Sequence, residues 1–366
     1  MKNVKLAKLK DSIVYQMSLG SRELFHSNLW AWMMEKEPRV ISEVFFKGIA
    51  IPGTYSVERE DGNRDITIYI GNDVYVIENK FKAIPTEDQL IKYSKEISIT
   101  KAILTGLRVP SFNLPNKNNE YLSNWEFLSY STIIENLGEL LKTPKELAFT
   151  PKEIDVLEKY IEMLQGIINI VKIEVPEEGL LLKISAKDFE DYHKIRLDDL
   201  LIKQHTDKFC KYLLKRQEIT SRMNKETNGY HLCVEPDFRN STGIVNVFYR
   251  KGTKKEKNEY LIGVQIQSNQ FRYCVAAPKE DYRSIFEAYK AYGWFEEYSK
   301  TGKKEFKGNG SSMSPRDGGS YNKYNGTSKF VYQYFDLTDL TYENIVGLLD
   351  KALDEAKTII QQIKSK

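Results

Sequence analysis

The chain has 366 residues, a net charge of +3 at pH 7, 41% hydrophobic residues and 29% charged residues. These values are ordinary for a globular protein, and the length is sufficient for two domains. No apolar run is long enough to cross a membrane and no apolar segment follows the basic N-terminus, so we expect a cytoplasmic protein without membrane contact. The three cysteines lie far apart and there are only four histidines, which argues against a zinc site and a disulfide framework.

The first part of the chain alternates predicted helices with predicted strands. In chain order, the hydrophobic pattern predicts a helix over 21–36, strands over 54–60, 64–70 and 74–80, a helix over 86–98 and a strand over 101–105. The second and third strands are separated by a tight turn and form a predicted hairpin.

Three charged residues interrupt the apolar alternation of this hairpin: Asp65, Glu78 and Lys80. Glu78 and Lys80 project to the same side of their strand, because side chains alternate faces along a strand. The face that Asp65 shares is set by the register of the hairpin, since directly opposed residues lie on one face.

The register depends on the turn. A two-residue turn at Asn72-Asp73 suits these residue types, which tolerate positive φ, and it places Asp65 opposite Lys80. All three charges then lie on one face. The opposite face is apolar apart from Asn79, and we expect it to face the core.

Two carboxylates beside a lysine suit a Mg²⁺ or Mn²⁺ site that cleaves phosphodiesters. Mg²⁺ takes hard oxygen ligands and is usually held by one or two carboxylates, here Asp65 and Glu78, with substrate phosphate and water. Lys80 would orient the attacking water or neutralise the phosphate. The alternative is that Glu78 and Lys80 are ordinary charges at the end of a strand.

Asp65 followed by Glu78-Asn79-Lys80 after a short hairpin resembles the PD-(D/E)XK nuclease superfamily. Arg64 stands where the family has proline, whereas the (D/E)XK part is intact. The resemblance implies an α/β fold with a restriction-endonuclease-like core, in which a mixed sheet is built in the order α-β-β-β-α-β. It also implies metal-dependent cleavage of nucleic acid.

The first helix adds two candidate residues. In several branches of the superfamily a glutamate of this helix reaches the metal, and the resemblance assigns that role to Glu23. The alternative is that an acid in the first turn of a helix is favoured by the helix dipole alone. His26 would lie on the same face and could donate to a phosphate of the nucleic acid or to Glu23. Its alternative is a half-buried histidine with a structural partner.

The second helix carries the Gln-x-x-x-Tyr pattern, as Gln89 and Tyr93. A branch of the superfamily has this pattern after the catalytic lysine, and there the pair contacts the active site and the nucleic acid. The alternative is that Thr86 and Gln89 form a capping box and that Tyr93 is a core residue.

A break at 175–179 is the predicted domain boundary, with a nuclease-like domain over 1–175 and an α+β domain over 176–366 that binds substrate or acts as a sensor. Helical spacing recurs over 152–171. Further on, the pattern predicts one long or two broken helices over 188–218, an antiparallel meander of strands over 230–234, 244–250, 260–267 and 271–276, a helix over 280–292, a strand over 330–335 and a helix over 341–363.

Two loops of the second domain are candidates for nucleic-acid binding. The first is a basic hairpin tip and the second is rich in glycine, serine, asparagine and lysine over 301–329. The alternatives are a solubilising tip and a flexible loop. The candidate residues are Arg250, Lys251, Lys254 and Lys255 in the first loop, and Arg316, Tyr321 and Tyr324 in the second.

Together these features predict a metal-dependent nuclease that acts on DNA, with RNA not excluded, and with endonuclease favoured over exonuclease. The resemblance suggests restriction, anti-phage defence or repair as its setting. A homodimer is the default expectation for an enzyme that cuts both strands. The alternative function is a protein that keeps the nuclease fold and binds nucleic acid, or that is switched on by a ligand or partner, without constitutive cleavage.

Overall fold

A computed structural model describes residues 12–18, 22–110, 112–176, 181–239, 242–252, 259–278, 282–295, 307–308, 323–324 and 328–363. The chain divides into two units, of which the first runs to Glu177 and also takes Lys194–Leu200. The second comprises Glu178–His193 and everything from Leu201 onward. No helix among the described residues is both long enough and apolar enough to span a bilayer.

The first unit is a mixed sheet with helices. Its helices are α1 (Ile13–Ser18), α2 (Arg22–Lys36), α3 (Glu87–Glu96), α4 (Tyr130–Leu140) and α5 (Pro151–Glu174), with a π-helix at Val40–Phe45. Its strands are β1 (Ser56–Arg59), β2 (Ile66–Ile70), β3 (Asp73–Lys80), β4 (Lys101–Gly106) and β5 (Trp125–Ser129).

The sheet of the first unit has the strand order β1-β2-β3-β4-β5. The pairs β1/β2 and β2/β3 are antiparallel, whereas β3/β4 and β4/β5 are parallel, with α3 as the connection between β3 and β4. The predicted mixed α-β-β-β-α-β core is therefore confirmed, with the ends of its elements displaced by at most two residues.

The predicted turn was wrong by one position. The turn residues are Gly71 and Asn72, because Ile70 pairs with Asp73. Gly71 adopts φ = +60°, a conformation that glycine reaches at little cost, so the turn forms one residue earlier than Asn72-Asp73. The register shifts by two residues, and a shift of two leaves every side chain on its predicted face. Continued by one residue beyond Ile66 and Ile77, the pairing brings Asp65 opposite Glu78 rather than Lys80.

Both faces of the β2/β3 hairpin are covered. The face of Ile66, Ile68 and Ile77 is buried, as predicted. The other face is also covered near its middle, where Val76 packs in a cluster with Leu90, Tyr93 and Trp125. Helix α3 therefore lies over the face that carries the charged residues.

The sequence pattern did not predict β5 or α4. Strand β5 is only five residues long and mostly half-buried or exposed, so its alternation is weak. Helix α4 follows without an intervening turn. It begins where the hydroxyl of Ser129 accepts a hydrogen bond from the backbone N–H of Thr132 at 3.0 Å, which is an ordinary N-cap.

The second unit is built on an antiparallel sheet. Its helices are α6 (Glu190–His193), α7 (Asp198–Lys215, whose first turn belongs to the first unit), α8 (Gln217–Met223), α9 (Tyr282–Ala291) and α10 (Tyr342–Ile363). Its strands are β6 (His231–Arg239), β7 (Thr242–Lys251), β8 (Tyr260–Gln267), β9 (Gln270–Pro278), β10 (Lys307–Gly308), β11 (Lys323–Tyr324) and β12 (Ser328–Asp336).

Strands β6 to β9 form the predicted meander, in which each strand pairs with the next. Strand β12 adds to the edge of β9, and the short strands β10 and β11 pair with β12. Every pairing is antiparallel. The long helix α10 packs on β8.

Replacing glycine by alanine at two positions of the second unit should change the free energy of unfolding in opposite directions. A Cβ at Gly263 would lie 2.3 Å from the Val247 carbonyl oxygen and 2.8 Å from the Phe248 Cα, and backbone atoms of a central strand cannot move away. We expect Gly263→Ala to lower the free energy of unfolding by about 3 kcal/mol.

Gly347 is the matched control, because it lies exposed within α10 with nothing within 4 Å of its built Cβ. Gly347→Ala should raise the free energy of unfolding by about 0.5–1 kcal/mol. Chemical denaturation of both variants measures this. Equal effects would show that the close approach of β7 and β8 at Gly263 is not as the structure has it.

Candidate active site

Asp65, Glu78 and Lys80 meet at the open end of the β2/β3 hairpin. Asp65 directly precedes β2, and its Oδ2 accepts a hydrogen bond from the backbone N–H of Asn79 at 2.7 Å. Glu78 and Lys80 lie at the end of β3, where the Lys80 Nζ is 2.6 Å from the Glu78 Oε1. Strand alternation brings the two side chains to one side, and the hairpin register adds Asp65.

The Glu78 carboxylate is buried but only half satisfied. The Glu78 side chain is 2% exposed, and the Lys80 side chain is 12% exposed. The Glu78 Oε1 accepts hydrogen bonds from Lys80 and, at 2.7 Å, from the Gln89 Nε2. The Glu78 Oε2 is buried and accepts no hydrogen bond from an N–H or O–H group of the described residues, although the Glu78 and Asp65 carboxyl groups are close enough to share a proton. Buried polar atoms are nearly always partnered, so this oxygen is available to a ligand.

The pKa values of the two carboxyl groups are raised. Burial raises the pKa of Glu78 to about 7, and the negative charges of Asp65 and Glu23 act in the same direction while Lys80 opposes them. Burial likewise raises the pKa of Asp65, against its hydrogen bond from Asn79. A cation between these groups would remove the cost of ionising both.

The pKa of Lys80 is also raised. Burial alone would lower it, but the carboxylates of Glu78, Glu23 and Asp65 together outweigh burial. Lys80 therefore keeps its proton at neutral pH. This favours a lysine that acts as a positive charge and hydrogen-bond donor over one that acts as a base.

Gln89 and Tyr93 are brought to the same place by helix α3. The Gln89 Nε2 donates to the Glu78 Oε1 and, at 2.7 Å, to the Tyr93 hydroxyl, which in turn donates to the Asn63 carbonyl at 2.7 Å. Thr86 is the N-cap residue of α3 but makes no side-chain cap hydrogen bond. The arrangement favours the active-site interpretation of Gln89 over the capping box.

Glu23 contacts the loop that follows Lys80. Its Oε1 accepts hydrogen bonds from the backbone N–H groups of Lys82 at 3.0 Å and Ala83 at 2.7 Å. Among the described residues no group of three His, Cys, Asp or Glu side chains is placed to hold a metal ion. The metal role of Glu23 stays a prediction, and the contact that the structure shows is with this loop.

The donor set fits a divalent metal held by two carboxylates. Asp65 and Glu78 would hold the ion, since their oxygens are hard ligands, one Glu78 oxygen accepts no hydrogen bond from an N–H or O–H group of the described residues and both pKa values are raised. Mg²⁺ commonly keeps several water ligands and needs only one or two carboxylates. The site therefore suits Mg²⁺ or Mn²⁺ without a third carboxylate.

His26 lies in the core rather than at an accessible surface. It is 1% exposed, and its ring packs against Phe81 and Tyr130 at centroid distances of 4.4 and 5.3 Å. The Tyr160 hydroxyl, which accepts from the Trp30 Nε1, lies 2.9 Å from the His26 Nδ1. This geometry corrects the expectation that His26 contacts nucleic acid, because a buried ring cannot reach a phosphate.

The candidate nucleic-acid residues of the second unit are only partly described. The Arg250 guanidinium makes ion pairs with Glu235 and with Glu259, both at 2.8 Å, and Glu259 is 2% exposed. Lys251 lies 5.7 Å from the centre of the Tyr230 ring. Lys254, Lys255, Arg316 and Tyr321 lie outside the described residues, and of Tyr324 only the backbone, in β11, is described.

Sequence reasoning missed the part played by Asn79. Its side chain is buried on the face of β3 opposite Glu78 and hydrogen-bonds to Tyr130, Ser27 and the backbone of Glu23. The signal was present, because one polar residue on an otherwise apolar face must find partners when it is buried. The partners could not be named, since α4 was not predicted.

Arg64, which stands in place of the family's proline, is buried and holds the turn before Asp65. Its guanidinium lies 2.6 Å from the Asp61 carboxylate and 3.7 Å from that of Glu96, and its Nε donates to the Thr67 hydroxyl at 3.3 Å. Ion pairs and a hydrogen bond therefore fix this turn where proline would do so through its ring.

The raised pKa of Glu78 predicts how the stability of the metal-free protein depends on pH. In the unfolded chain Glu78 ionises near its ordinary value, whereas in the folded protein it keeps its proton up to about pH 7. The folded state binds more protons between these values, so the free energy of unfolding falls as pH rises, by up to about 1.4 kcal/mol per pH unit. We expect Glu78→Gln to reduce this slope in denaturation experiments in EDTA, with Asp65, whose pKa is also raised, contributing the remainder.

Glu158→Gln is the matched control, because Glu158 is exposed on α5, and it should keep the slope of the unchanged protein. An unaltered slope in Glu78→Gln would show that Glu78 ionises well below pH 7 in the folded protein.

A model of the PD-(D/E)XK nuclease superfamily matches residues 12–162. No match was found among curated proteins or among solved structures. The matched range contains α2, the β2/β3 hairpin, α3 and Asp65, which directly precedes β2. Residues 12–162 of this chain therefore form a domain of the PD-(D/E)XK nuclease superfamily, which implies a nuclease-like phosphodiesterase of the kind that typically uses divalent metals.

Proposed function

We propose that the chain hydrolyses phosphodiester bonds of DNA as a Mg²⁺- or Mn²⁺-dependent endonuclease. The observation that supports this most directly is the state of Glu78. Its carboxylate is buried beside Asp65 and Lys80, its pKa is raised to about 7, and one of its oxygens accepts no hydrogen bond from an N–H or O–H group of the described residues. An ordinary strand-end glutamate would be exposed and free of this cost.

Each residue has a role that follows from its contacts. Asp65 and Glu78 would hold the ion, which when bound lowers the pKa of a water ligand and neutralises charge on the scissile phosphate. Lys80 stays protonated and donates to the attacking water or to a phosphate oxygen. Gln89, braced by Tyr93, fixes the Glu78 carboxylate through its amide.

The substrate and setting are part of the proposal. DNA is the substrate that we favour, in restriction, anti-phage defence or repair. The domain predicted from 176 onward would bind or select the substrate. A two-fold dimer would let two such sites cut both strands. An activating ligand or partner is the alternative in which cleavage is not constitutive.

Cleavage of supercoiled plasmid tests the function. We expect the purified protein to nick or linearise the plasmid with Mg²⁺ or Mn²⁺ but not with EDTA, and Glu78→Ala to abolish this, because the carboxylate that holds the ion is lost. Absence of cleavage in the Glu78→Ala preparation excludes contaminating nucleases. Glu158→Ala, purified in the same way, should cleave like the unchanged protein, which shows that a substitution by itself does not abolish cleavage.

Cleavage that persists in Glu78→Ala would contradict the assignment of the site. Cleavage of RNA in place of plasmid would correct the substrate. If calorimetry shows metal binding but neither plasmid nor RNA is cleaved, the alternative in which a ligand or partner activates the protein would be favoured.

The raised pKa of Lys80 predicts that its charge acts on the reaction and not on metal binding. We expect Lys80→Gln to lower the rate of plasmid cleavage by about 100-fold, a usual cost of removing one donor to developing charge. Calorimetry should show that Mn²⁺ affinity does not fall and can rise, since the ammonium competes with the ion for Glu78. Lys92→Gln, at an exposed lysine of α3, is the control. Undiminished cleavage by Lys80→Gln would remove Lys80 from the chemistry.

A further inference from the structure

We propose that Asn79 and Tyr130 are positioning residues, which hold the strand end that carries Glu78 and Lys80 in register with Asp65 and Glu23. The catalytic consequence rests on the proposed function, whereas the positioning itself does not. Neither side chain needs to touch the substrate or the ion for this role.

The Asn79 side chain uses its full capacity for hydrogen bonds. Its Nδ2 donates to the Glu23 carbonyl oxygen at 2.9 Å and to the Ser27 hydroxyl at 3.1 Å, and both residues lie on α2. Its Oδ1 accepts from the Tyr130 hydroxyl at 2.6 Å and from the Thr105 hydroxyl at 3.2 Å. An amide has two donors and can accept twice, so every site is filled.

These partners come from three different elements. Glu23 and Ser27 belong to α2, Thr105 to β4 and Tyr130 to the start of α4. The backbone N–H of Asn79 adds a contact to a fourth part of the domain, because it donates to the Asp65 carboxylate just before β2. One residue thus ties β3 to α2, β4, α4 and the catalytic aspartate.

Because of the position of Asn79 in the motif, its hydrogen bonds control the placement of both neighbouring side chains. It lies between Glu78 and Lys80, and its side chain points to the opposite face. A displacement of Asn79 therefore moves both catalytic side chains together. The same displacement would release the Asp65 carboxylate and the first turn of α2, where Glu23 accepts from the loop at Lys82.

Tyr130 is the partner whose removal tests the idea most cleanly. Its ring is fully buried, and its hydroxyl makes the shortest of the hydrogen bonds to Asn79. Removing that hydroxyl leaves the ring in place and leaves the Asn79 oxygen with the longer contact to Thr105 alone. A buried acceptor that loses the shorter of its two hydrogen bonds is less well satisfied, and a shift of the strand end is the way to improve its remaining contact.

Tyr160 supplies a matched control in the same aromatic cluster. It is equally buried, and its hydroxyl contacts Trp30 and His26 but makes no hydrogen bond to Asn79. Tyr160→Phe removes the same atom from the same type of residue. A purely structural role would make the two variants equivalent.

Amide hydrogen exchange measures the positioning in metal-free protein. We expect the backbone amides of Asn79, Lys82 and Ala83, which donate to the Asp65 and Glu23 carboxylates, to exchange about tenfold faster in Tyr130→Phe than in Tyr160→Phe. Calorimetry should show Mn²⁺ affinity lowered by about 10- to 100-fold in Tyr130→Phe alone, the usual cost of losing a residue that orients ligands. For cleavage, kcat should fall and KM for plasmid should stay unchanged.

Equal exchange in the two tyrosine variants would overturn the positioning role, whatever the activity. If exchange is faster in Tyr130→Phe but the unchanged protein neither binds Mn²⁺ nor cleaves nucleic acid, the positioning role is supported and the proposed function is overturned. If Tyr130→Phe does not fold, Thr105→Val removes the other donor to the same oxygen and should show the same pattern with a smaller effect.

Discussion

A carboxylate buried beside a lysine at the end of β3 is the interaction around which the candidate site of the first unit is arranged. Removing two such charges from water costs several kcal/mol for each ion, and their attraction offsets this only where the geometry is good and the remaining atoms are partnered. Glu78 meets that condition at one oxygen, through Lys80 and Gln89, and fails it at the other. Such an incomplete arrangement is a poor way to stabilise a fold and a good way to prepare a cation site.

The surrounding elements create the dry setting that this site needs. Helix α3 lies over the charged face of the hairpin and places Gln89 and Tyr93 against Glu78. The other face is closed by an aromatic cluster in which His26, Trp30, Tyr130 and Tyr160 share hydrogen bonds and ring contacts. Because charges interact more strongly in such an environment than in water, the cover over the hairpin strengthens the electrostatic interactions of Glu78 and Lys80.

Polar groups in the sheet of the second unit are also paired across strands. The Asn246 Oδ1 accepts from Gln265 at 3.0 Å, and the Gln265 Oε1 accepts from Arg272 at 3.0 Å, across β7, β8 and β9. Arg250 is likewise held between Glu235 and Glu259. These groups are committed to one another, so the features of this unit that would bind a substrate have to be sought among side chains with free capacity.

Local patterns in the sequence predicted most of the elements and the residues that meet at the candidate site. Alternation with period two located β1 to β4 and the meander, and helical spacing located α2, α3, α5 and α10, because these segments are long or strongly amphipathic. The face shared by Asp65, Glu78 and Lys80 was predicted correctly even though the turn was not, since a register error of two residues preserves faces. Only the tertiary structure decided how far each group is buried, and hence the raised pKa of Glu78 and the removal of His26 from the site. It also decided the partners of Asn79, because these lie 26 to 56 residues away in the chain, and contacts at such separations follow from packing and not from local pattern.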